Sequence, residues 1–346
     1  MSQLRQSPLT KEWVIMAAER GKPPDQMRIK KERTAPKAYE STCPFCPGNE
    51  QMTPAELQRV SAPGGQGWQL RVVPNKYPVL SLEALPNRVI RRTHRSIDGA
   101  GAQEVIIETP NHSLTTALLS EDQVLTILRS YRDCFIRLSE DSRIAQVTIF
   151  KNHGPIAGAS LQHPHSQVIA GPVVSSQLRA TYQAALNHWD EFGECVFCAI
   201  LKDELDGEKR IVVWGDAFVA FEPFASVRPF VTHIFPRRHH ASFGDIRDEE
   251  LKDLARVLHS ILRKIYVGLN DPDFNYTIVT APAEASGSKY YHWYLSIVPR
   301  IAEVSAGLEL GSGTLINTVL PEVAAEFLRN IEAEKEFRLP LESNPV

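Results

Sequence analysis

Residues 162–171, QHPHSQVIAG, and residues 290–300, YYHWYLSIVPR, decide how the whole chain is read. Each places a histidine at the head of a strand-like run, and each is preceded by the same order of parts. Upstream of the first lie Cys43 and Cys46 in CPFC, His112 in TPNHS, a helix start at Ser120, and the strand-like AQVTIFKN (145–152). Upstream of the second lie Cys195 and Cys198 in CVFC, His239 in PRRHHASF, a helix start at Asp248, and DFNYTIVTAP (273–282). His112 to His163 spans 51 positions and His239 to His292 spans 53, so the spacing returns along with the order. A repeat of this kind marks an internal duplication. Two related halves are expected, at residues 1–178 and 179–346.

The helices have physical support. Ser120 can cap, Gln123 three residues on completes a capping box, and Val124, Ile127, Tyr131, Phe135 and Leu138 trace one face. In the second half Asp248, Glu249 and Glu250 suit the positive end of a helix dipole, followed by Leu251, Leu254, Leu258, Ile261 and Ile265 on one stripe. The flanking runs alternate or are β-branched, so each half reads as an antiparallel sheet with a crossing helix, an α+β arrangement. Residues 179–191 read as a helical connector. Residues 321–331 read as a C-terminal helix with Pro321 at its first position, and the tail EKEFRLPLESNPV as a loose or surface arm.

At about 150 residues per domain, 346 residues suit two domains. Hydrophobic residues at 43% and charged residues at 23% exclude a disordered or fibrous chain. Lys and Arg number 38 against 41 Asp and Glu, a net charge of -3, so no global field favours nucleic acid or an anionic membrane, and any phosphate site is local. The start lacks a signal-peptide apolar region, and no run nears the roughly 20 apolar residues of a membrane span. A cytoplasmic enzyme, with neither nucleic acid nor membrane as partner, is the expectation.

In such a compartment two C-x2-C pairs point to metal or redox chemistry and not to disulfides. Competing readings of CPFC are a redox pair or thiols that only line a turn. Cys134, on the apolar stripe of the first helix, reads as a buried core thiol. The metal reading gives two Cys2His2 sets: Cys43, Cys46, His112 and His163, then Cys195, Cys198, His239 and His292. His240 or His233 are alternatives to His239. Two thiolates and two imidazoles are what a structural zinc prefers, and four protein ligands leave no position for a catalytic water. About two zinc ions per chain are expected. The Cys-to-His gaps of 66 and 41 positions are far too long for a DNA-binding zinc finger.

On a strand, the period of two puts His163, His165 and Gln167 on one face. With His163 on the metal, His165 stands two residues away on a rigid mount. A neutral imidazole, with an ordinary pKa near 6.5, attacks phosphorus without losing a proton and serves as a covalent nucleophile. Upstream, residues 152–160 form a Gly-rich loop after a strand, able to offer backbone N–H groups and the Ser160 hydroxyl to a phosphate.

CPFC, a lone histidine, an Asn/Gly loop and HPH-x-Q together resemble the galactose-1-phosphate uridylyltransferase family of the histidine-triad superfamily, in its bacterial and plant-type branch. LTKEWVIMAAERGKPPD (9–25) and GLELGSGTLINTVLPEVAAEFLR (307–329) extend the resemblance over nearly the whole chain. It implies two histidine-triad-like halves, a homodimer, a nucleotide-sugar and a sugar 1-phosphate as substrates, and a ping-pong exchange through a nucleotidyl-histidine. By the match, His165 is the nucleophile and Gln167 holds a phosphoryl oxygen. Asn152 and Ser160 line the phosphate site, Arg20 lies near the nucleotide phosphates, Asn75 belongs to the base and ribose segment, and Glu309 to the sugar-binding segment.

Tyr294 stands where the first half has His165, so only the first half should be catalytic. Histidine-triad hydrolases carry a histidine where Gln167 stands; an amide cannot act as an acid, and a phosphate leaving group scarcely needs one, so Gln167 suits transfer between phosphates. The chain departs from better-known members at Ser296, Val298 and Thr280, where they carry further metal-binding histidines, at Pro23 where an arginine is usual, and at Leu308 where a tyrosine is usual. The leading expectation is uridylyl transfer from UDP-glucose to hexose 1-phosphate. The alternatives are an ADP-sugar phosphorylase of the plant branch and a non-catalytic protein that binds zinc and nucleotides.

Overall fold

A computed structural model describes residues 2–29, 37–301 and 307–333. The tail read above as a loose arm lies outside the described residues. In the first half β1 (Gln3–Gln6) and β2 (Trp13–Met16) lead to β3 (Gln58–Ser61), β4 (Trp68–Pro74), a hairpin of β5 (Arg88–Arg91) and β6 (His94–Ile97), and β7 (Ala102–Ile107). Helix α1 (Glu121–Ser139), β8 (Gln146–His153) and β9 (His165–Gly171) complete it. Helices α2 (Ser176–Phe192) and α3 (Val196–Gly207) connect to β10 (Ile211–Trp214), β11 (Phe218–Phe221), β12 (Thr232–Pro236), α4 (Asp248–Leu269), β13 (Phe274–Val279) and β14 (Tyr294–Pro299). Helix α5 (Gly307–Ser312), β15 (Leu315–Asn317) and α6 (Pro321–Arg329) follow.

The two expected sheets are one. Ten strands run in the order β10-β11-β12-β14-β13-β8-β9-β7-β4-β3, and every pairing along it is antiparallel. The order reads alike from either edge: five strands of one half meet five of the other at β13 and β8, where Asn275 pairs with Asn152 and Thr277 with Phe150. Helices α1 and α4 cross the same face and pack on each other, and their stripes form one core with Val168, Ala170, Ile278 and Leu295. The helix stripes read from the sequence are buried throughout.

Local rules account for the ends. Ser120 Oγ accepts from Gln123 N at 3.2 Å while Gln123 Oε1 accepts from Ser120 N at 3.1 Å, a reciprocal capping box. Ser175 caps α2, and Gly193 ends it in the left-handed conformation at φ 71°. The connector is longer than 179–191, and α3 was not expected; Cys195 is its N-cap. A small sheet, β1-β2-β15, lies apart from the large one, with β15 parallel to β2. Among the described residues no helix is long and apolar enough to cross a membrane.

Candidate active site

Strand β9 carries the site. Its alternate residues Ser166, Val168 and Ala170 turn to the helices, which leaves His165, Gln167 and Ile169 on the opposite face. His163 differs from expectation, because the strand begins at His165 and His163 sits in the bend before it. Pro164 explains the boundary: it lacks an N–H for the ladder, and its carbonyl instead accepts from Glu108 N at 3.2 Å.

The two histidines are joined through the backbone. His165 Nδ1 lies 2.7 Å from the His163 carbonyl oxygen. A carbonyl only accepts, so Nδ1 carries the proton and Nε2 keeps the lone pair. Burial pushes the His165 pKa below its ordinary value, so the ring is neutral at pH 7. Phe45, between the two cysteines of CPFC, packs edge-on against both rings, at 5.9 Å from His163 and 5.4 Å from His165. Beneath the strand, on the helix side, Lys151 Nζ lies 2.6 Å from Glu108 Oε2 and 3.4 Å from the His165 carbonyl oxygen. The Glu108 carboxylate also accepts from the Ser166 and Thr116 hydroxyls. None of Phe45, Glu108 or Lys151 was singled out from the sequence.

Gln167 Oε1 accepts from Gln103 Nε2 at 2.8 Å. Asn75, at the end of β4, donates its N–H to the Gln103 carbonyl at 2.8 Å, so the structure brings Asn75 to the same region. Asn152 lies beside the strand of His165, and its Oδ1 accepts from Asn275 Nδ2 at 2.8 Å, a contact across the seam between the halves. Asn275 also donates to the Ala157 carbonyl at 2.8 Å and accepts from Arg300 Nε at 2.6 Å. Residues of the second half thus hold the Gly-rich loop of the first. Gly154 is at φ 82°, and a side chain there would meet the Asp273 carboxylate at 2.2 Å. Ser160 is exposed on this loop. Arg20 ends a short turn (Ala18–Arg20) that follows β2, and Glu309 lies in α5, where its carboxylate accepts from Ile316 N of β15 at 3.3 Å; neither takes part in the hydrogen bonds just described.

The first Cys/His set converges. Ligand atoms of Cys43, Cys46, His112 and His163 lie within 4.8 Å of one another, and all four residues are buried. Cys46 Sγ is 3.4 Å from His112 Nδ1 and 3.6 Å from His163 Nδ1. His163 Nε2 faces the Thr109 carbonyl at 2.8 Å, the outer contact that orients a ligating imidazole. Two thiols and two rings meeting in a dry pocket fit a tetrahedral metal ion. In the second half Cys195, Cys198 and His239 converge within 4.8 Å, and His292 Nδ1 stands 3.9 Å from Cys198 Sγ. His240 instead receives the Trp293 indole N–H at 3.2 Å, and His233 sits on β12 among Phe235 and Tyr294, so His239 is the histidine that the fold brings to the thiols.

Among the described residues the second half shows no counterpart to the His165 site. Tyr294 is buried against Phe235 at 5.1 Å and Phe197 at 6.0 Å, so rings fill the space. Phe197 of CVFC repeats the place of Phe45, and Tyr294 that of His165.

Comparison with known proteins agrees with this geometry. The family model for the galactose-1-phosphate uridyl transferase N-terminal domain matches residues 1–175, and that for the C-terminal domain matches residues 178–339. ADP-glucose phosphorylase of Arabidopsis thaliana is 35% identical over 333 residues, 95% of this chain and 93% of that protein. Galactose-1-phosphate uridylyltransferase of Thermotoga maritima is 30% identical over 343 residues, 96% of this chain and 100% of that protein. The crystal structure of an Arabidopsis thaliana ADP-glucose phosphorylase with bound ADP-glucose superposes with a TM-score of 0.81 at 34% identity, covering 96% of this chain and 99% of that one.

Proposed function

Because the chain belongs to the galactose-1-phosphate uridyl transferase family, we propose that it is a nucleotidyltransferase that carries a nucleoside monophosphate on His165, taking UMP from UDP-glucose and passing it to a hexose 1-phosphate. The observation that carries this reading is the His165 ring. Its Nδ1 proton is fixed by the His163 carbonyl, which leaves the lone pair on Nε2, and the ring shares one face of β9 with Gln167. In the first step Nε2 attacks the α-phosphorus. An N–P bond forms, the α-phosphorus–oxygen bond to the sugar phosphate breaks, and sugar 1-phosphate leaves with the electron pair. In the second step a phosphate oxygen of the acceptor attacks, and the N–P bond returns its pair to His165. No proton has to move, so Gln167 serves as a donor to a phosphoryl oxygen without acting as an acid. Asn152 and Ser160 would line the phosphate site with Arg20 near the nucleotide phosphates, Asn75 would meet the ribose or base, and Glu309 the sugar hydroxyls.

A second reading is favoured by a specific finding: adenylyl transfer from ADP-glucose to inorganic phosphate, supported by the 35% identical phosphorylase. Enzyme incubated with α-32P-labelled UDP-glucose or ADP-glucose, then with galactose 1-phosphate or phosphate, separates them by which pair labels and discharges the protein. The label should be acid-labile and base-stable. His165→Gly should abolish it, and Tyr294→Phe should keep it. Labelling of the His165→Gly protein at the native rate contradicts the mechanism.

We read the ions of the two Cys/His sets as zinc, on the chemistry of the donors; bound there, zinc would brace the CPFC turn and α3 and leave the chemistry to His165. Free cysteines throughout support a reducing, cytoplasmic setting. Exposed Tyr77, Val79, Leu82, Leu85 and Ile90 on one stretch of chain support a homodimer.

A further inference from the structure

The amide of Gln167 has a donating and an accepting end, and only the donating end suits a phosphoryl oxygen. Gln103 decides which end is offered. The backbone N–H of Val79 points at Gln103 Oε1 from 2.9 Å. A backbone N–H can only donate, so the Gln103 atom facing it is the carbonyl oxygen. The Gln103 NH2 group is thereby turned to Gln167, 2.8 Å from its Oε1. Gln167 must then accept with its oxygen, and its own NH2 is turned away from Gln103 on the face of β9 that also carries His165. The two residues are diagonal neighbours on one side of the sheet, since Gln103 pairs with Ile169 and Val105 with Gln167. Gln103 is buried, so water does not compete for either bond. The Gln103 main chain also accepts from Asn75 N.

We propose that Gln103 is a positioning residue for nucleotidyl transfer: it holds the Gln167 NH2 toward the phosphoryl group being passed and couples that orientation to the 75–79 segment. The inference rests on the histidine-carried mechanism above. As Nε2 attacks and the sugar phosphate departs, charge on the non-bridging oxygens meets a donor that was aimed beforehand; an amide turned the other way would meet it with a lone pair.

Gln103→Glu at pH 8 tests this, because it keeps the shape and the acceptor for Val79 but has no hydrogen to give. Gln167 can then bond to residue 103 only through its own NH2, which turns its oxygen to the phosphate. With whichever of UDP-glucose or ADP-glucose labels the native protein, single-turnover labelling at saturating nucleotide-sugar should slow about 100-fold or more, the loss typical of one misplaced oxyanion donor. The concentration for half-saturation should stay near native; a carboxylate at this buried place lowers the urea midpoint, so labelling is read in the absence of denaturant with the variant's fold checked by its own urea titration. In a Gln167→Met background the same change should add almost nothing, because the two act as one unit. A native labelling rate in Gln103→Glu, or a full additional loss in the Gln167→Met background, overturns the proposal. If the native protein takes no label from either nucleotide-sugar, the histidine mechanism itself fails, and this inference with it.

Discussion

Lys151 and Glu108 face each other at 2.6 Å with side chains 1% and 0% exposed, a full ion pair under the strand that carries His165. Burial alone would raise the Glu108 pKa, but Lys151 and the hydroxyls of Ser166 and Thr116 outweigh it and hold the carboxyl below its ordinary value. Tyr131 joins the group through Ser166 and reaches Tyr276 of the second half at 2.5 Å. A buried pair of this kind adds little over well-packed apolar residues, yet removing one partner strands a charge. Lys151→Met should therefore lower the unfolding free energy by about 3–5 kcal/mol, read from urea titrations. Adding Glu108→Gln should restore a good part of it; no recovery would show that the loss comes from packing. The sequence hides this network. Glu108 and Lys151 lie 43 positions apart and neither belongs to a motif, and Gln103 is likewise invisible until β7 is laid beside β9.

Helix α4 shows at the level of an element what one carboxylate at a first turn does. Glu250 accepts from Arg247 N at 2.8 Å and from the Arg238 guanidinium at 2.7 and 2.8 Å. Burial opposes its ionisation, but those donors prevail and draw its pKa down to about 2. The unfolded chain titrates near 4.3. The ionised group therefore stabilises the fold above that value, and the contribution is lost as pH falls through about 2. Glu250→Gln should cost about 1 kcal/mol at pH 7, with the gap to native closing between about pH 4.5 and pH 2; a constant gap would assign the loss to shape alone. The caps and stripes of α1 and α4 were legible because each is written within a few consecutive turns. Helix α3 was not, since VFCAIL is a short apolar run that fits strand or helix equally, and the choice falls to Gly193 closing α2 just before it. His163 was assigned to the strand for a similar reason: the period of two is visible, and the break imposed by Pro164 is not.

At the scale of the molecule, the Cys/His sets tie distant segments together, 120 positions apart for Cys43 and His163. Metal analysis after dialysis should find about two zinc ions per chain. Cys43→Ser should lose one of them and lower the melting temperature, because binding and folding are coupled at such sites. Native stability with one ion missing would leave the first set without a bracing role. The convergence of Cys43, Cys46, His112 and His163 and of Cys195, Cys198 and His239 was readable from spacing, as was the repeat, whereas His292 stands outside the close group of the second set. Continuity of the sheet was not, because no residue of β8 or β13 announces that its outer edge has a partner in the other half.

That seam makes the chain indivisible in a particular way. Cut within the connector, the N-terminal piece would expose the edge of β8 and the C-terminal piece the edge of β13, each a row of unsatisfied amides and carbonyls open to edge-to-edge association. The N-terminal piece alone would also leave Asn152 without Asn275, so its Gly-rich loop would lose the support that Arg300 anchors from outside. Co-expressed, the two pieces should recombine as a split enzyme, each supplying the other's missing edge.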